Sequence, residues 1–400
     1  MSEEKKRILM VHNYYQFAGG EDVVFQNEAN LLQSYGHKIF YYTRNNSEIK
    51  QYGIFTKCKM AFETLFSFKT YFEIKRTISN EKIDIVHVHN TLPLISFSVY
   101  YAAHKCGVPV VQTVHNFRYI CPNGCLYRSN EVCNSCHRKG YRYAVRYRCY
   151  RDSKPQSALV AFMLWFHKKI GSYKKTDAFI ALTEFNKEIL SDVLPKEKIY
   201  IKPNFTSLPD RITGVPYKNY YVYAGRLERE KGISVLVRAF QQLPDRHLIV
   251  IGSGLLEDSL RDFVIRHNLK NIHLLGSKSA EEVRSYMAHA LATIVPSQCY
   301  EGFGLVVIES FSVGTPVIGS DIGNVNDLIL ENHAGIVFKY SSSEDLYNKV
   351  IDFESHEDKM NEYRRNAEKA YLEKYSPVKN YKKLLEIYDT VSQIKKPIYK

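Results

Sequence analysis

Nowhere in its 400 residues does the chain hold an apolar run long enough to cross a bilayer. Its longest nearly uncharged apolar stretch, Ala158 to Phe166, is about half of the ~20 residues that a spanning helix needs. A secretory leader is not expected either, because Met1 to Arg7 is charged and leads into a short strand pattern, Ile8 to Val11. The chain is therefore expected in the cytoplasm, and its eight cysteines as thiols or metal ligands rather than disulfides. Low-complexity tracts are lacking, and an apolar fraction of 45% is that of a globular protein. The length exceeds one ordinary core and fits two domains.

What the chain has little of, relative to its positive charge, is acid in the first half. Up to Phe205 there are 30 Lys and Arg against 17 Asp and Glu, and beyond it 25 against 25. The whole net charge of +13 thus sits in the N-terminal half. Without a nucleic-acid motif, such an excess points to anionic membrane surfaces or phosphorylated partners.

Strand-like and helix-like patterns alternate throughout, which argues for α/β architecture with parallel sheets. Expected strands in the first half are Ile8–His12, His37–Thr43, Ile83–His89, Pro109–Val114, Ala178–Leu182 and Ile199–Lys202, with helices over 21–35 and 61–79. Residues 206–219, with Pro, Gly, Ser and Asn and no periodicity, read as a linker. The second half repeats the plan, with strands at Tyr221–Ala224, His247–Ile251, Ile272–Leu275, Thr293–Val295, Pro316–Ser320 and Gly335–Phe338. A last helical segment runs from Pro377 to about Ile394.

The most informative stretch is Glu301-Gly302-Phe303-Gly304-Leu305-Val306-Val307-Ile308-Glu309. Eight residues is a little over two helical turns, so a helix beginning near Phe303 would turn both acids toward one crevice. The N–H groups of Phe303, Gly304 and Leu305 would then form a positive helix N-terminus suited to phosphate. A ligand both phosphorylated and rich in hydroxyls, such as a sugar nucleotide, fits that set.

Glu301 to Glu309 resembles the Glu-x7-Glu motif of retaining glycosyltransferases with the two-Rossmann GT-B fold, in particular glycosyltransferase family 4 of the bacterial surface-polysaccharide type. Tyr223-Ala224-Gly225-Arg226-Leu227-Glu228-Arg229-Glu230-Lys231-Gly232 resembles the family's strand–Gly-Arg-Leu–x3–Lys-Gly element, and Ile249 to Gly254 its next strand and loop. Leu291 to Ser297 resembles the apolar strand ending in Pro-Ser. The likeness covers nearly the whole chain in the family's order. It implies two Rossmann-like domains facing each other across a cleft: an acceptor-side domain over 1–205 with an insertion near 117–175, and a nucleotide-sugar domain over 220–376. Residues 377–400 would form a helix and tail returning to the first domain.

By that resemblance the chain is a retaining glycosyltransferase drawing on a UDP- or GDP-sugar donor, with a glycan or lipid-linked acceptor in capsule, O-antigen or exopolysaccharide synthesis. Arg226 and Lys231 would meet the diphosphate, Glu301 the donor sugar and Glu309 the ribose. His115, in Val114-His115-Asn116, would lie by the sugar and its phosphate. Gly19 and Gly20, in the loop Phe17-Ala18-Gly19-Gly20, would approach the diphosphate, and Gly225, Gly252, Gly276 and Ser277 would line the donor, the last two beside the base. His87, His89 and Asn90 are further acceptor-side candidates. No Asp-x-Asp tripeptide occurs, which agrees with catalysis that requires no metal or other cofactor. The rivals are a nucleotide-sugar 2-epimerase of the same fold and, in another class, a zinc-dependent nucleic-acid-binding protein.

Within the insertion, Cys133-x2-Cys136 has zinc-knuckle spacing, and Cys121 with Cys149 would complete a four-thiolate structural zinc site; reduced thiols in a capping loop are the alternative. Beyond it Arg138, Lys139, Arg142, Arg146, Arg148 and Arg151 interleave with tyrosines and precede the apolar run Ala158 to Phe166. That pattern suits either a solvated cap or an enzyme held peripherally at the inner face of the cell membrane. Nucleic acid is not an expected partner.

Overall fold

The computed structural model describes residues 4–16, 19–51 and 53–395. Met1–Glu3 of the charged N-terminus, Phe17 and Ala18 of the glycine loop, and 396–400 of the tail lie outside the described residues. The chain divides into two compact units. The first takes Met1–Gly124, Asn134–Asn204 and Asn380–Lys400, and the second Cys125–Cys133 and Phe205–Lys379. A piece of the insertion, Cys125–Cys133, therefore belongs with the C-terminal sequence.

In the first unit, six parallel strands stand in the order Lys38–Asn45, Arg7–Tyr14, Ile85–Val88, Val110–Thr113, Ala178–Ala181, Ile199–Ile201. In the second the order is Ile272–Gly276, His247–Ile251, Tyr220–Ala224, Ala292–Val295, Val317–Ser320, Gly335–Phe338, again all parallel. Numbered along the chain these are 2-1-3-4-5-6 and 3-2-1-4-5-6, the doubly wound arrangements of nucleotide-binding folds. Central strands such as Tyr220–Ala224 are almost wholly buried because helices cover both faces, so they read as continuous apolar runs.

The expected strands form with shifts of one or two residues at their ends. The helix expected over 61–79 is two, Ile54–Leu65 and Phe68–Asn80. The break comes at Ser67, whose hydroxyl caps the second helix by accepting from Thr70 N at 3.2 Å. Short helices at Ser98–Lys105, Glu184–Leu190 and Gly323–Leu330 went unseen, because two turns give too few repeats to establish a period.

The last helix, Pro377–Ile394, is tied into the first unit through a buried polar network. Glu28 on the helix Gly20–Ser34 and Lys202 beyond the last strand form an ion pair at 2.6 Å with both side chains fully buried. Lys202 also donates to Asn380 Oδ1 at 3.3 Å, and His87 Nδ1 lies 2.7 Å from the Tyr388 hydroxyl. His87 Nδ1 and His89 Nε2 stand 3.2 and 3.4 Å from Glu28 Oε1, contacts too poorly aligned to be hydrogen bonds. Burial pushes the Glu28 carboxyl up, yet Lys202, then His87 and His89, hold it well below the usual carboxylate range. Breaking such a pair from one side leaves a buried charge uncompensated. Glu28→Gln should therefore lower unfolding stability by about 3–5 kcal/mol, whereas Glu28→Leu with Lys202→Met should lower it clearly less. Urea unfolding of the three proteins checks this; equal losses in single and double variants would contradict it.

Candidate functional site

A doubly wound sheet binds ligands where its strand order reverses, outside the carboxyl ends of the two strands that part. In the second unit those strands are Tyr220–Ala224 and Ala292–Val295. The first leads into Gly225 and Arg226, the second into Ser297 and Glu301, so the motifs expected to bind donor converge there. Gly232, at φ 71°, makes the convergence possible, since a Cβ there would lie 1.7 Å from the carbonyl oxygen of Pro296. Gln298 N donates to Glu230 O at 2.8 Å and stitches the two loops together.

The centre of the crevice is an ion pair. Lys231 Nζ donates to both carboxylate oxygens of Glu301, at 2.7 and 2.8 Å, and Ser297 Oγ donates to Glu301 Oε1 at 2.5 Å. Burial works to raise the Glu301 carboxyl, but Lys231, with Ser297 and Arg226, outweighs it and holds the acid below its ordinary range. For Lys231 burial works downward, and Glu301 reverses it and raises the amine. Both groups are thus charged at neutral pH. Asn324, at the start of the helix Gly323–Leu330, donates to the carbonyls of Glu301 and Gly302 at 2.7 and 3.0 Å and fixes the loop. Arg226 is more open and pairs with Glu228 at 2.8 Å.

The helix after Glu301 starts at Leu305, with Gly304 at φ 102° as its cap, rather than near Phe303. The helix thus begins two residues later than expected, and Glu301 stands in the loop before it. A left-handed glycine halts the helix before it reaches the acid. The first-turn N–H groups still project from the helix N-terminus. Phe303 is buried, and its ring meets Tyr375 at 6.3 Å. Glu309, on the helix, is raised by burial, opposed by Arg284. Gly252 N donates to Gly276 O at 2.8 Å, and Ser277 Oγ to Ser253 Oγ at 2.9 Å, so these four line neighbouring strand ends.

In the first unit the order reverses between Arg7–Tyr14 and Ile85–Val88. Gly19 caps the helix Gly20–Ser34 there, its N–H donating to Asp22 Oδ2 at 3.0 Å, while Asp22 Oδ1 contacts His12 Nε2 at 2.7 Å. His89 Nδ1 and His115 Nε2 are 2.9 Å apart, and burial lowers the pKa of each ring. Two neutral rings at that distance share one proton, so each holds the other's tautomer. Asn90 turns inward instead, donating to Asn13 O at 2.8 Å. His89, His115, Asn116, Arg118 and Glu21 line one cavity. Glu21 was not singled out by motif; its carboxylate accepts from Tyr15 at 2.9 Å and Asn116 at 3.2 Å, and burial raises its pKa. Only its place just after Gly20 hinted at it.

Among the described residues, the one set of three or more His, Cys, Asp or Glu with ligand atoms within 4.8 Å of one another is Glu28, His87 and His89. Lys202 already neutralises that carboxylate, so the set does not suit a cation. Cys121, Cys136 and Cys149 lie in the first unit and Cys133 in the second. The segment Cys125–Cys133 folds as a small hairpin, Tyr127–Arg128 with Glu131–Val132, and Tyr127 donates to Gln298 Oε1 at 3.2 Å. The insertion thus supplies one wall beside the Glu301 loop, which its cysteine spacing did not reveal.

Residues 18–208 match the model of Glycosyltransferase Family 4, and residues 210–370 that of Glycosyl transferases group 1. Over 389 residues, 96% of this chain and 99% of the relative, the sequence is 24% identical to an uncharacterized glycosyltransferase of Methanocaldococcus jannaschii. The chain is a GT-B glycosyltransferase. Its fold is shared with sucrose-phosphate synthase from Thermosynechococcus elongatus, at TM-score 0.71 and 17% identity over 98% of this chain and 100% of that one. It is shared equally with HepE of Anabaena in complex with UDP, at TM-score 0.68 and 15% identity over 96% and 100%. Neither the epimerase nor the nucleic-acid-binding alternative gains support. Among the described residues of the glycosyltransferase, no helix is long and apolar enough to cross a membrane.

Burial lowers the pKa of His87, His89 and His115 below the ordinary 6.5, and that of His167 to about 4. The unfolded chain then takes up protons near pH 6.5 that the folded chain refuses, so stability falls as pH drops. The depressed Glu28 acts in the same direction at lower pH, while the raised Glu21 and Glu309 oppose it only near the carboxylate range. Thermal unfolding should therefore move to lower temperature between about pH 7.5 and about pH 5; an unchanged or rising midpoint would contradict the neutral histidine cluster.

Proposed function

We propose that this enzyme moves a hexosyl or related glycosyl group from a UDP- or GDP-sugar to a glycan or lipid-linked acceptor with retention of configuration. Capsule, O-antigen or exopolysaccharide synthesis is the setting, in the cytoplasm, with the enzyme peripheral at the inner face of the cell membrane. The observation that carries the reading is the Lys231–Glu301 pair at the switch-point crevice, beside a helix N-terminus. Support for the donor class comes from HepE, a protein of the same fold crystallised with UDP.

In this reading the bond between the anomeric carbon and the diphosphate oxygen breaks while the acceptor oxygen bonds to the same face. The acceptor proton passes to the departing phosphate oxygen, so atoms and charge balance. Arg226, Lys231 and the N–H groups at the start of Leu305–Ser312 offset the charge growing on the diphosphate, a task that here needs no divalent cation. Glu301 accepts hydrogen bonds from donor-sugar hydroxyls and Glu309 from the ribose, since carboxylates take such paired bonds well. His115, held by His89 at 2.9 Å, is assigned to the donor sugar and its phosphate by the family resemblance. Zinc at the cysteines takes no part in these steps.

Lys231→Ala or Arg226→Ala should lower kcat/KM for donor by about two orders of magnitude or more while the fold survives. Glu301→Gln should impair sugar transfer but leave binding of the nucleoside diphosphate, whereas Glu309→Gln should weaken that binding. Calorimetry with UDP and GDP beside turnover assays separates the two; normal turnover in both cation variants would sink the assignment.

A further inference from the structure

An aromatic face of the first unit takes no part in the donor or acceptor chemistry. Phe62 is 75% exposed, Phe68 69%, Phe72 62%, Trp165 52% and Phe162 48%. Isolated exposed aromatics are ordinary, but Phe68 and Phe72 belong to a linked set. Phe66 meets Phe68, Tyr71 and Tyr101 at ring distances of 5.1, 5.9 and 5.6 Å, and Phe72 lies 5.3 Å from Tyr71. Together these rings line a groove of about 350 Å³ rimmed by Lys105 and Lys175, the latter over Tyr101 at 4.7 Å. The helix Lys154–Lys169 joins the face through His167, whose Nε2 lies 2.9 Å from the Leu65 carbonyl, next to Phe66. Its Phe162 and Trp165 are 5.8 Å apart.

The unpaired charge named around the rings is positive. Lys168, Lys169, Lys174 and Lys105 are exposed at the margin. The acids within it, Glu63 and Glu73, are each matched one turn away by Lys59 and Lys69, at 3.6 and 4.0 Å. Such a surface suits neither water nor an acidic peptide alone, because the rings are too exposed for the first and too many for the second. It does suit the headgroup zone of a bilayer, where amphipathic rings settle and lysines reach lipid phosphates.

The basic stretch singled out by sequence is a poorer candidate. Arg142, Arg146 and Arg151 fold back over Tyr143, Tyr147 and Tyr150 at 5.4, 5.6 and 5.5 Å. Much of the apolar run Ala158 to Phe166 is core, with Val160, Ala161, Met163 and Leu164 buried.

We propose that the face built on Phe66, Phe68, Tyr71 and Phe72, with Phe62 and Trp165 exposed on the two helices that meet beside it at Leu65, docks the enzyme on an anionic bilayer surface. The inference rests on the peripheral-membrane reading above and names the surface that carries it. The occupant is the lipid headgroup layer, with the rings at the acyl boundary and the lysines at the phosphates. Each basic residue near an anionic surface contributes on the order of 1 kcal/mol, so two or three decide between bound and free.

Trp165 is the chain's single tryptophan, so its fluorescence reports the helix that abuts this face at Leu65. Full-length protein is mixed with phosphatidylcholine vesicles with or without phosphatidylglycerol. The expected result is sedimentation with the anionic vesicles only, a shift of Trp165 emission to shorter wavelength, and quenching by brominated acyl chains. Phe68→Ser with Phe72→Ser, and separately Lys168→Glu with Lys169→Glu, should each cut the bound fraction about tenfold or more. UDP-induced thermal shift checks that the variants keep fold and donor site. Sedimentation with unchanged Trp165 emission and wild-type behaviour of both variants would overturn this face while leaving membrane attachment standing. Failure to sediment at all would overturn both. A concentration-dependent emission shift without vesicles would make the face a self-association surface and overturn the proposal.

Discussion

Each sheet changes the direction of its strand order once, and the rest of the molecule's chemistry is placed by that constraint. Parallel strands joined by right-handed crossovers put successive helices on one face until the order reverses. At the reversal two neighbouring strands send their chains to opposite faces, and a crevice opens between them. In the second unit the crevice gathers Gly225, Arg226, Lys231, Ser297 and Glu301 from segments some seventy residues apart. In the first it gathers Gly19, Asp22, Glu21 and the ends of strands bearing His12 and His89. No helix dipole or single motif would collect these groups without the topology beneath them.

The two units solve burial differently. The second has an apolar core around Tyr221, Leu236, Phe240 and Ile294, with its charges left at the crevice. The first carries Glu28, Lys202, His87, His89, His115 and Thr113 through its interior, hydrogen-bonded or ion-paired to one another and to the last helix. A buried polar network is worth little as net stability, since desolvation offsets the attraction. It does specify partners, because an apolar helix in place of Pro377–Ile394 would leave Lys202 and His87 short of polar partners. The network thus selects the C-terminal helix for the first unit and holds the ring that sets the His115 tautomer.

Much of this was legible in the sequence, and the reason is local. Buried parallel strands are short apolar runs with glycine or proline at their ends, so Ile249 to Gly254 and Leu291 to Ser297 announced both element and loop. The Gly-Arg-Leu element and the first glutamate announced the segments that converge at the strand reversal. What escaped notice is what depends on distance in the chain. Glu28 reads as an ordinary helix acid until Lys202 lies against it. Asn324 gives no sign that it holds the Glu301 loop. The Tyr127 hairpin belongs with the second unit, beside Gln298, and only folding could reveal that. The helix start was misjudged by two residues because a left-handed glycine, which has no periodic signature, ends the loop at Gly304.

The ion pair at the crevice also has a bearing on how a ligand enters. Lys231 and Glu301 neutralise each other, and an anion approaching the crevice competes with the carboxylate for the ammonium. A phosphorylated ligand without hydroxyls would win Lys231 only by leaving Glu301 charged and poorly solvated, which is unfavourable. A ligand carrying both groups resolves the conflict, its diphosphate taking Lys231 and its hydroxyls satisfying Glu301. In the proposed reading the pair would discriminate against plain phosphate and in favour of a sugar nucleotide, through the same groups that join the two loops. Ser297, bonded to Glu301, would keep the carboxylate oriented through that exchange, so that only the lysine need turn.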